Sequence, residues 1–300
     1  METGQSKQFQ IRALREGDEQ AVLDVLNRAF QRSLTPQWYD WKHRRGPWGP
    51  SSGWVAEAAT GQLVAARLFL PWALSNEAET IPIMRAVDGA VAPSAQRQGL
   101  FSRCVTAEMD ALSEGRRSSA LIYSTSVPAS REAYRKLGWA ITDVAHTARP
   151  VRISPFGAAR LVWGDALRAG EVPPNAPLGT AWTSESLQWR TAAESGHKYR
   201  SVRLHDANEP NGLLLRRTHL KKVPTLLVVY SWGRPATRSA LIRAACTRLG
   251  APVVLSVAGP GAHGWQVGAS TISSWAPPTH HDARLTEPLH FDFADLEGVM

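Results

Sequence analysis

The sequence predicts an α/β (α+β) fold arranged as two domains in tandem, residues 1–150 and 151–300. Apolar stretches of strand length alternate with segments of helical periodicity, the order expected of helices packed on a sheet. A chain of 300 residues holds two domains of ordinary size. The second half also repeats the first. Thr35-Pro-Gln-Trp-Tyr-Asp-Trp-Lys42 resembles Thr183-Ser-Glu-Ser-Leu-Gln-Trp-Arg190. At the same offset the strand beginning at Trp54 falls on Val202; apart from that offset, Cys104 and Cys246 both fall on the corresponding helix.

Taken in order, Phe9 to Ala13 reads as a short strand. A helix follows from Gly17-Asp18, with Val22, Val25, Leu26 and Ala29 at helical spacing and Asp18 as its N-cap. Thr35-Pro36 opens a second helix, with proline at its first position. Trp54 to Ala58 and Leu63 to Leu70 read as a hairpin around Thr60-Gly61. Ile83 to Val91 is a strand, Gly99 to Glu114 a helix, and Ala120 to Ser124 a strand. Ser130 to Leu137 is a short helix closed by Gly138. Arg149 to Pro155 and Glu171 to Gly179 read as linker and loop. In the second half, Tyr199 to Leu204 and Gly212 to Leu220 form a hairpin. Thr225 to Ser231, Ser239 to Leu249 and Val253 to Val257 then read as strand, helix and strand. Pro288 to Asp295 alternates apolar and polar residues, as a final strand does.

An apolar fraction of 43% with 20% charged residues excludes a mainly disordered chain. The apolar runs are too short to span a bilayer, and Met1 to Gln10 has no apolar signal core, so no membrane partner is expected and a cytoplasmic protein is. Two cysteines exclude a disulfide scaffold and suit reduced core thiols. A net charge of +8 and a sequence pI near 9.9 favour anionic partners. Without a long basic run, nucleic acid is not the expected one. His280-His281-Asp282 and His290 invite a metal reading, but no further ligand pattern accompanies them and no metal is expected.

The informative stretch is Val91-Ala-Pro-Ser-Ala-Gln96-Arg97-Gln98-Gly99-Leu100-Phe101. A strand ends, a short loop with one glycine follows, and a helix begins. Unpaired N–H groups at a helix start, the helix dipole and a glycine that lets backbone approach suit a pyrophosphate. Arg97 and Arg103 add positive charge. A plain strand-to-helix turn is the alternative. Neither a P-loop nor a dinucleotide fingerprint is present.

Val91-x-Pro-x-x-Gln96-x-x-Gly99 resembles the acetyl-CoA signature of the GNAT superfamily of N-acetyltransferases. Ala133-Tyr134-Arg-Lys-Leu-Gly138-Trp139 is similar to the second landmark of that family, and Gln10 to Phe30 to its first strand and helix. The resemblance covers roughly residues 8 to 145. It implies two GNAT-like domains, each a mixed, mostly antiparallel sheet flanked by helices, with the second domain degenerate. It also implies acetyl-CoA as cofactor. Gln96, Arg97, Gln98, Gly99, Leu100 and Phe101 would cradle its pyrophosphate through backbone N–H groups, and the strand ending near Val91 would splay from Ala120 to Ser124 to admit the pantetheine arm. Tyr134 would protonate the departing thiolate, a core tyrosine being the alternative. The asparagine usual in the family stands as Val127 here, so Ser126 or Ser130 would replace its contact. Phe101 also departs from the usual small residue.

Glu57 and Asp88 are the carboxylates on strands available as general base, although strand alternation turns Asp88 away from the face of Gly89 and Val91. Tyr123 and Ser124 would line the acceptor channel. Trp38 and Trp41 would cover the acceptor, or else pack as a lid; His43 is either a surface histidine or a proton carrier. The resemblance implies acetyl transfer to a primary amine of a small molecule, such as an amino sugar or secondary metabolite, as in bacterial transferases, by a monomer or homodimer. The alternatives are a Fem-like transferase that uses aminoacyl-tRNA and a non-catalytic acyl-CoA-binding module.

Overall fold

The computed structural model describes residues 9–76, 78–153, 161–164, 178–205, 210–257, 264–278, 289, 291 and 293–296. They form two compact units. Unit one comprises Met1–Leu74, Thr80–Thr142 and Thr271–Thr286, and unit two comprises Ser75–Glu79, Asp143–Ser270 and Glu287–Met300. The expected boundary at residue 150 therefore sits beside a crossing between Thr142 and Asp143, and the chain returns to unit one at Thr271.

The sheet of unit one runs in the order β1 (Phe9–Ala13), β2 (Ser52–Ala58), β3 (Leu63–Ser75), β4 (Thr80–Val91) and β5 (Ile122–Ser126). Residues 271–275 then pair antiparallel with β5, from Thr271 opposite Ser126 to Trp275 opposite Ile122. β1–β2 and β2–β3 are antiparallel, while β4 and β5 are parallel. β3 reads Leu-Val-Ala-Ala-Arg-Leu-Phe-Leu and is buried throughout those residues, as a central strand covered on both faces is.

Helices cover both faces. α1 (Glu19–Phe30) buries Val22, Leu23, Val25 and Leu26, each contributing about 1.5–3 kcal/mol of burial. Asp18 stands at its N-cap position but makes no capping bond; Arg12 and the Arg15 N–H take its carboxylate instead. α2 (Pro36–Tyr39) is capped by Thr35, whose hydroxyl accepts from the Trp38 N–H, and continues into a π-helical turn, Asp40–Arg44. α3 (Leu100–Ser113) follows β4. α4 (Pro128–Lys136) ends where Gly138, at φ 78°, lets the Trp139 N–H return to the Tyr134 carbonyl at 3.0 Å. Asp88 meets the π-helical turn and Gly89 meets Phe101 of α3, so these helices lie on opposite faces of β4.

The π-helical turn is fixed by a buried charge cluster. Lys42 Nζ lies 2.6 Å from Asp88 Oδ2 and over the Trp38 ring at 4.9 Å. His43 Nε2 lies 3.1 Å from the same oxygen, and its Nδ1 is 2.9 Å from Ser51 Oγ. Burial alone would raise the Asp88 carboxyl. The Lys42 charge and His43 outweigh it and hold the carboxyl well below its usual range. Burial pushes His43 down, against the pull of Asp88.

Unit two contains β6 (Ala140–Pro150) from Asp143 onward, β7 (Leu161–Gly164) and β8 (Gly179–Thr180). It also holds β9 (Arg200–Leu204), β10 (Gly212–Leu220), β11 (Val223–Trp232) and β12 (Val253–Val257). β6 pairs with β12, and the order continues β11, β10, β9, β7. β11 and β12 are parallel, joined through α6 (Pro235–Leu249). α5 (Ser184–Arg190) is capped by Thr183, as α2 is by Thr35. β13 (Trp265–Trp275) enters from unit two and ends in the strand 271–275 described above. Arg149 and Pro150, expected as linker, lie in β6 opposite Val254 and Val253. The expected terminal strand is corrected over residues 293–296, which form α7 (Phe293–Leu296); Thr180 donates to Asp295 there. His280, His281, Asp282 and His290 lie outside the described residues.

Cys104 and Cys246 are buried, and burial pushes their thiols up to about 12 and about 11. No helix among the described residues is long and apolar enough to cross a membrane.

A chain cut after residue 150 lacks the partner of β5 and bares a sheet edge. Fragment 1–150 is expected to lose cooperative melting by circular dichroism, whereas melting like the whole chain contradicts the role given to residues 271–275. Asp88→Asn strands Lys42 and is expected to cost about 3–5 kcal/mol in urea denaturation, with part regained on adding Lys42→Met. Because the folded Asp88 carboxyl lies below its unfolded value, its stabilisation is complete above about pH 4 and fades as pH falls toward the folded value.

Candidate active site

β4 and β5 hydrogen-bond as parallel strands only at Met84–Ile122 and Arg85–Tyr123. Beyond those pairs β4 continues to Val91 and β5 to Ser126 without pairing to each other. The gap is spanned by side chains. Ser124 Oγ donates to the Ala86 carbonyl at 3.0 Å and accepts from Arg67 Nη2 at 3.2 Å. Asp88 adopts φ 47°, a conformation that bends the strand at this point. A Cβ on Gly89 would lie 2.7 Å from both Phe101 and Arg67, so only glycine admits the side chains packed there.

Tyr134 projects from α4 into the same space and is fully buried. Its hydroxyl accepts from Arg67 Nη2. Its ring meets Phe101 edge-on, with centroids 5.6 Å apart, and Trp139 at 4.3 Å. Arg131 of α4 donates to the Thr271 hydroxyl, tying this helix to the strand beside β5.

At the far end of β4 the chain makes one 3-10 turn, Pro93–Ala95, and two left-handed residues, Arg97 at φ 62° and Gly99 at φ 70°. α3 begins directly after Gly99. Its first N–H groups have no carbonyl of their own helix to meet, and the dipole makes this end positive. Gln96, Arg97, Gln98 and Gly99 are exposed, and a Cβ on Gly99 would meet nothing within 4 Å, so approach is open. Leu100 is buried, Phe101 is half-buried toward Tyr134, and Arg103 donates to the Phe9 carbonyl. The exposed turn and the buried tyrosine are thus linked through Phe101, which stands two residues after Gly99 and packs against the Tyr134 ring.

The other expected residues fall elsewhere or are already engaged. Ser126 Oγ is 2.8 Å from Ser273 Oγ and donates to the Thr271 carbonyl; Ser130 Oγ donates to the Val127 carbonyl at 3.1 Å. Glu57 accepts from Arg12 on the β1–β2 side of the sheet, away from the gap. Asp88 adjoins the gap, but its carboxylate faces Lys42 and His43 on the other side. Trp38 and Trp41 are buried, and Tyr123 is buried beneath Arg85 at 5.6 Å. A cleft of about 510 Å³ at the start of β4 is lined by Trp48, Trp72, Met84 and Arg117 and by none of the expected site residues. Among the described residues no group of three or more metal-ligating side chains occurs. Arg67 went unnoticed in the sequence; its signal is a lone charge in the apolar run Val64-Ala-Ala-Arg-Leu-Phe-Leu70.

Comparison with known proteins accords with this geometry. Residues 10–142 match the family model described as an acetyltransferase (GNAT) domain. A GCN5-related N-acetyltransferase from Anabaena variabilis has a TM-score of 0.66 at 12% identity, covering 89% of this chain and 72% of that one. A probable N-acyltransferase from Enterococcus faecalis V583 gives 0.63 at 12% identity with the same coverages. Eis1 from Mycobacterium abscessus gives 0.62 at 14%, covering 90% of this chain and 74% of that one. At such identities the likeness is one of fold. No curated protein sequence matches. With the signature turn, the parted strands and the tyrosine helix all inside the matched segment, residues 10–142 belong to the GNAT superfamily of acyltransferases.

Proposed function

We propose that the protein is an acetyl-CoA-dependent N-acetyltransferase that acts on a primary amine of a small molecule. The observation that carries this reading is the early end of the β4–β5 pairing, with the exposed Gly99 turn after β4 and Tyr134 packed against Phe101 just beyond that turn. N–H groups from Gln96 to Phe101 hold the pyrophosphate, and the gap takes the pantetheine arm. A strand N–H near the bend at Asp88 polarises the thioester carbonyl. Tyr134 gives its proton to the departing sulfur. The ion pairs of Glu57 and Asp88 make both carboxylates structural, so the amine proton leaves through water.

Unit two reads as a degenerate copy of the same fold. The succession β9, β10, β11, α6, β12 matches β2, β3, β4, α3, β5, with the parallel pair in the same place. Where unit one has the whole signature turn between Val91 and Leu100, unit two has only Gly233 and Arg234 between Trp232 and Pro235. Pro235 also removes one N–H from the helix start. That end has no room for a phosphate cradle, which leaves the cofactor to unit one.

Calorimetric titration with acetyl-CoA tests the reading. Wild type is expected to bind and Gly99→Glu to lose at least about 100-fold, or some 2.7 kcal/mol, because a carboxylate then faces the anion. Gly99→Ala carries the same backbone strain without the charge and separates the two effects. Tyr134→Phe is expected to keep binding and to lose roughly 100-fold in kcat for CoA release in the presence of an amine. No binding by wild type overturns the proposal.

A further inference from the structure

Arg67 is 4% exposed and meets no carboxylate among the described residues. Two nearby cations do meet carboxylates: half-buried Arg12 lies between Asp18 and Glu57, and buried Lys42 lies against Asp88. Arg85, buried on β4, lies over the Trp72 and Tyr123 rings and donates to Thr125, away from Tyr134. The Arg67 guanidinium instead sits among three rings, 5.3 Å from Phe101, 5.8 Å from Tyr134 and 5.9 Å from Phe69. Its Nε has no hydrogen-bond partner. A buried charge without a counter-ion is strongly unfavourable, and an apolar side chain of similar volume fills such a box at less cost.

The hydrogen bond to Tyr134 has only one possible polarity. A guanidinium has five donors and no acceptor, so Tyr134 Oη must be the acceptor. The phenol proton is therefore turned away from Arg67. Ser124 is occupied as well, donating to Ala86 and accepting from Arg67.

We propose that Arg67 is the positioning residue of the acid step, orienting the Tyr134 hydroxyl toward the gap and holding the negative charge left when that proton departs. The inference rests on Tyr134 being the acid. In the step, the amine nitrogen forms a bond to the thioester carbon, and the C–S bond breaks with its electron pair going to sulfur. Tyr134 passes its proton to that sulfur and becomes a phenolate beside the guanidinium. The proton shed by the nitrogen restores the phenol through water. The counter-charge missing from the resting site is thus created by the reaction, in dry surroundings where a fixed cation acts most strongly.

A double-mutant cycle tests this with acetyl-CoA as donor and hydroxylamine as a small acceptor that needs no shaped pocket. Arg67→Met is expected to lower kcat at least about 10-fold with acetyl-CoA affinity within about 3-fold of wild type. It is expected to melt at or above the wild-type temperature, because an uncompensated charge has been removed. The double variant Arg67→Met/Tyr134→Phe is expected to match Tyr134→Phe alone, and Arg67→Lys to recover part of the loss. Full kcat in Arg67→Met, or a double variant whose loss is the product of the singles, overturns the proposal. Full kcat in Tyr134→Phe overturns the acid assignment on which it rests. A readout independent of turnover is the ultraviolet thiolate band of CoA bound to the protein. It is expected at lower pH with wild type than with Arg67→Met, and identical titrations contradict the role.

Discussion

Two parallel strands that hydrogen-bond at only two residue pairs create a demand that organises unit one. Backbone polar groups inside a protein need partners, and β4 beyond Arg85 has lost those that β5 would have supplied. Near the opening, Ser124 reaches the Ala86 carbonyl and Arg67 crosses from β3 to Ser124 and Tyr134. The bend at Asp88 and the bare Gly89 give those side chains their room. At the far end the strand gives way to a turn and to the unpaired N–H groups of α3. The parting strands are thus bridged by side chains at one point and end in exposed N–H donors at another.

Three cations of unit one, Arg12, Lys42 and Arg67, are accommodated in two different ways. Arg12 lies between two carboxylates and pins the first strand to the start of α1. Lys42 faces Asp88 and the Trp38 ring, fixing the π-helical turn against the bend in β4. Arg67 faces rings and hydroxyls only. The first two meet carboxylates in the folded protein, while the third is left to rings and hydroxyls. The same bend in β4 carries both kinds, Asp88 toward Lys42 on one side and Gly89 toward Arg67 on the other.

The strands and helices expected up to residue 137 and from 199 to 257 recur with shifts of a few residues at their ends. These are segments whose apolar period and punctuation by proline and glycine are strong, as at Pro36, Gly99 and Gly138. The segments read differently depend on distant partners. Arg149 and Pro150 look like linker, yet they are strand because Val254 and Val253 lie opposite. Residues 271–275 carry serines and a threonine, and they are strand because β5 offers an edge. Phe293–Leu296 alternates in sequence but forms a helical turn, since four residues cannot fix a period.

The sequence by itself determined the strand–turn–helix at Gly99 and the tyrosine helix closed by Gly138. Each of these rests on backbone rules that act over a few neighbouring residues. Only the tertiary structure decided which carboxylates are spent in ion pairs, where the last strand of unit one comes from, and that Arg67 meets Tyr134. Those outcomes depend on residues far apart in the chain meeting across a sheet, and pairing energies between them leave no periodic trace in the letters.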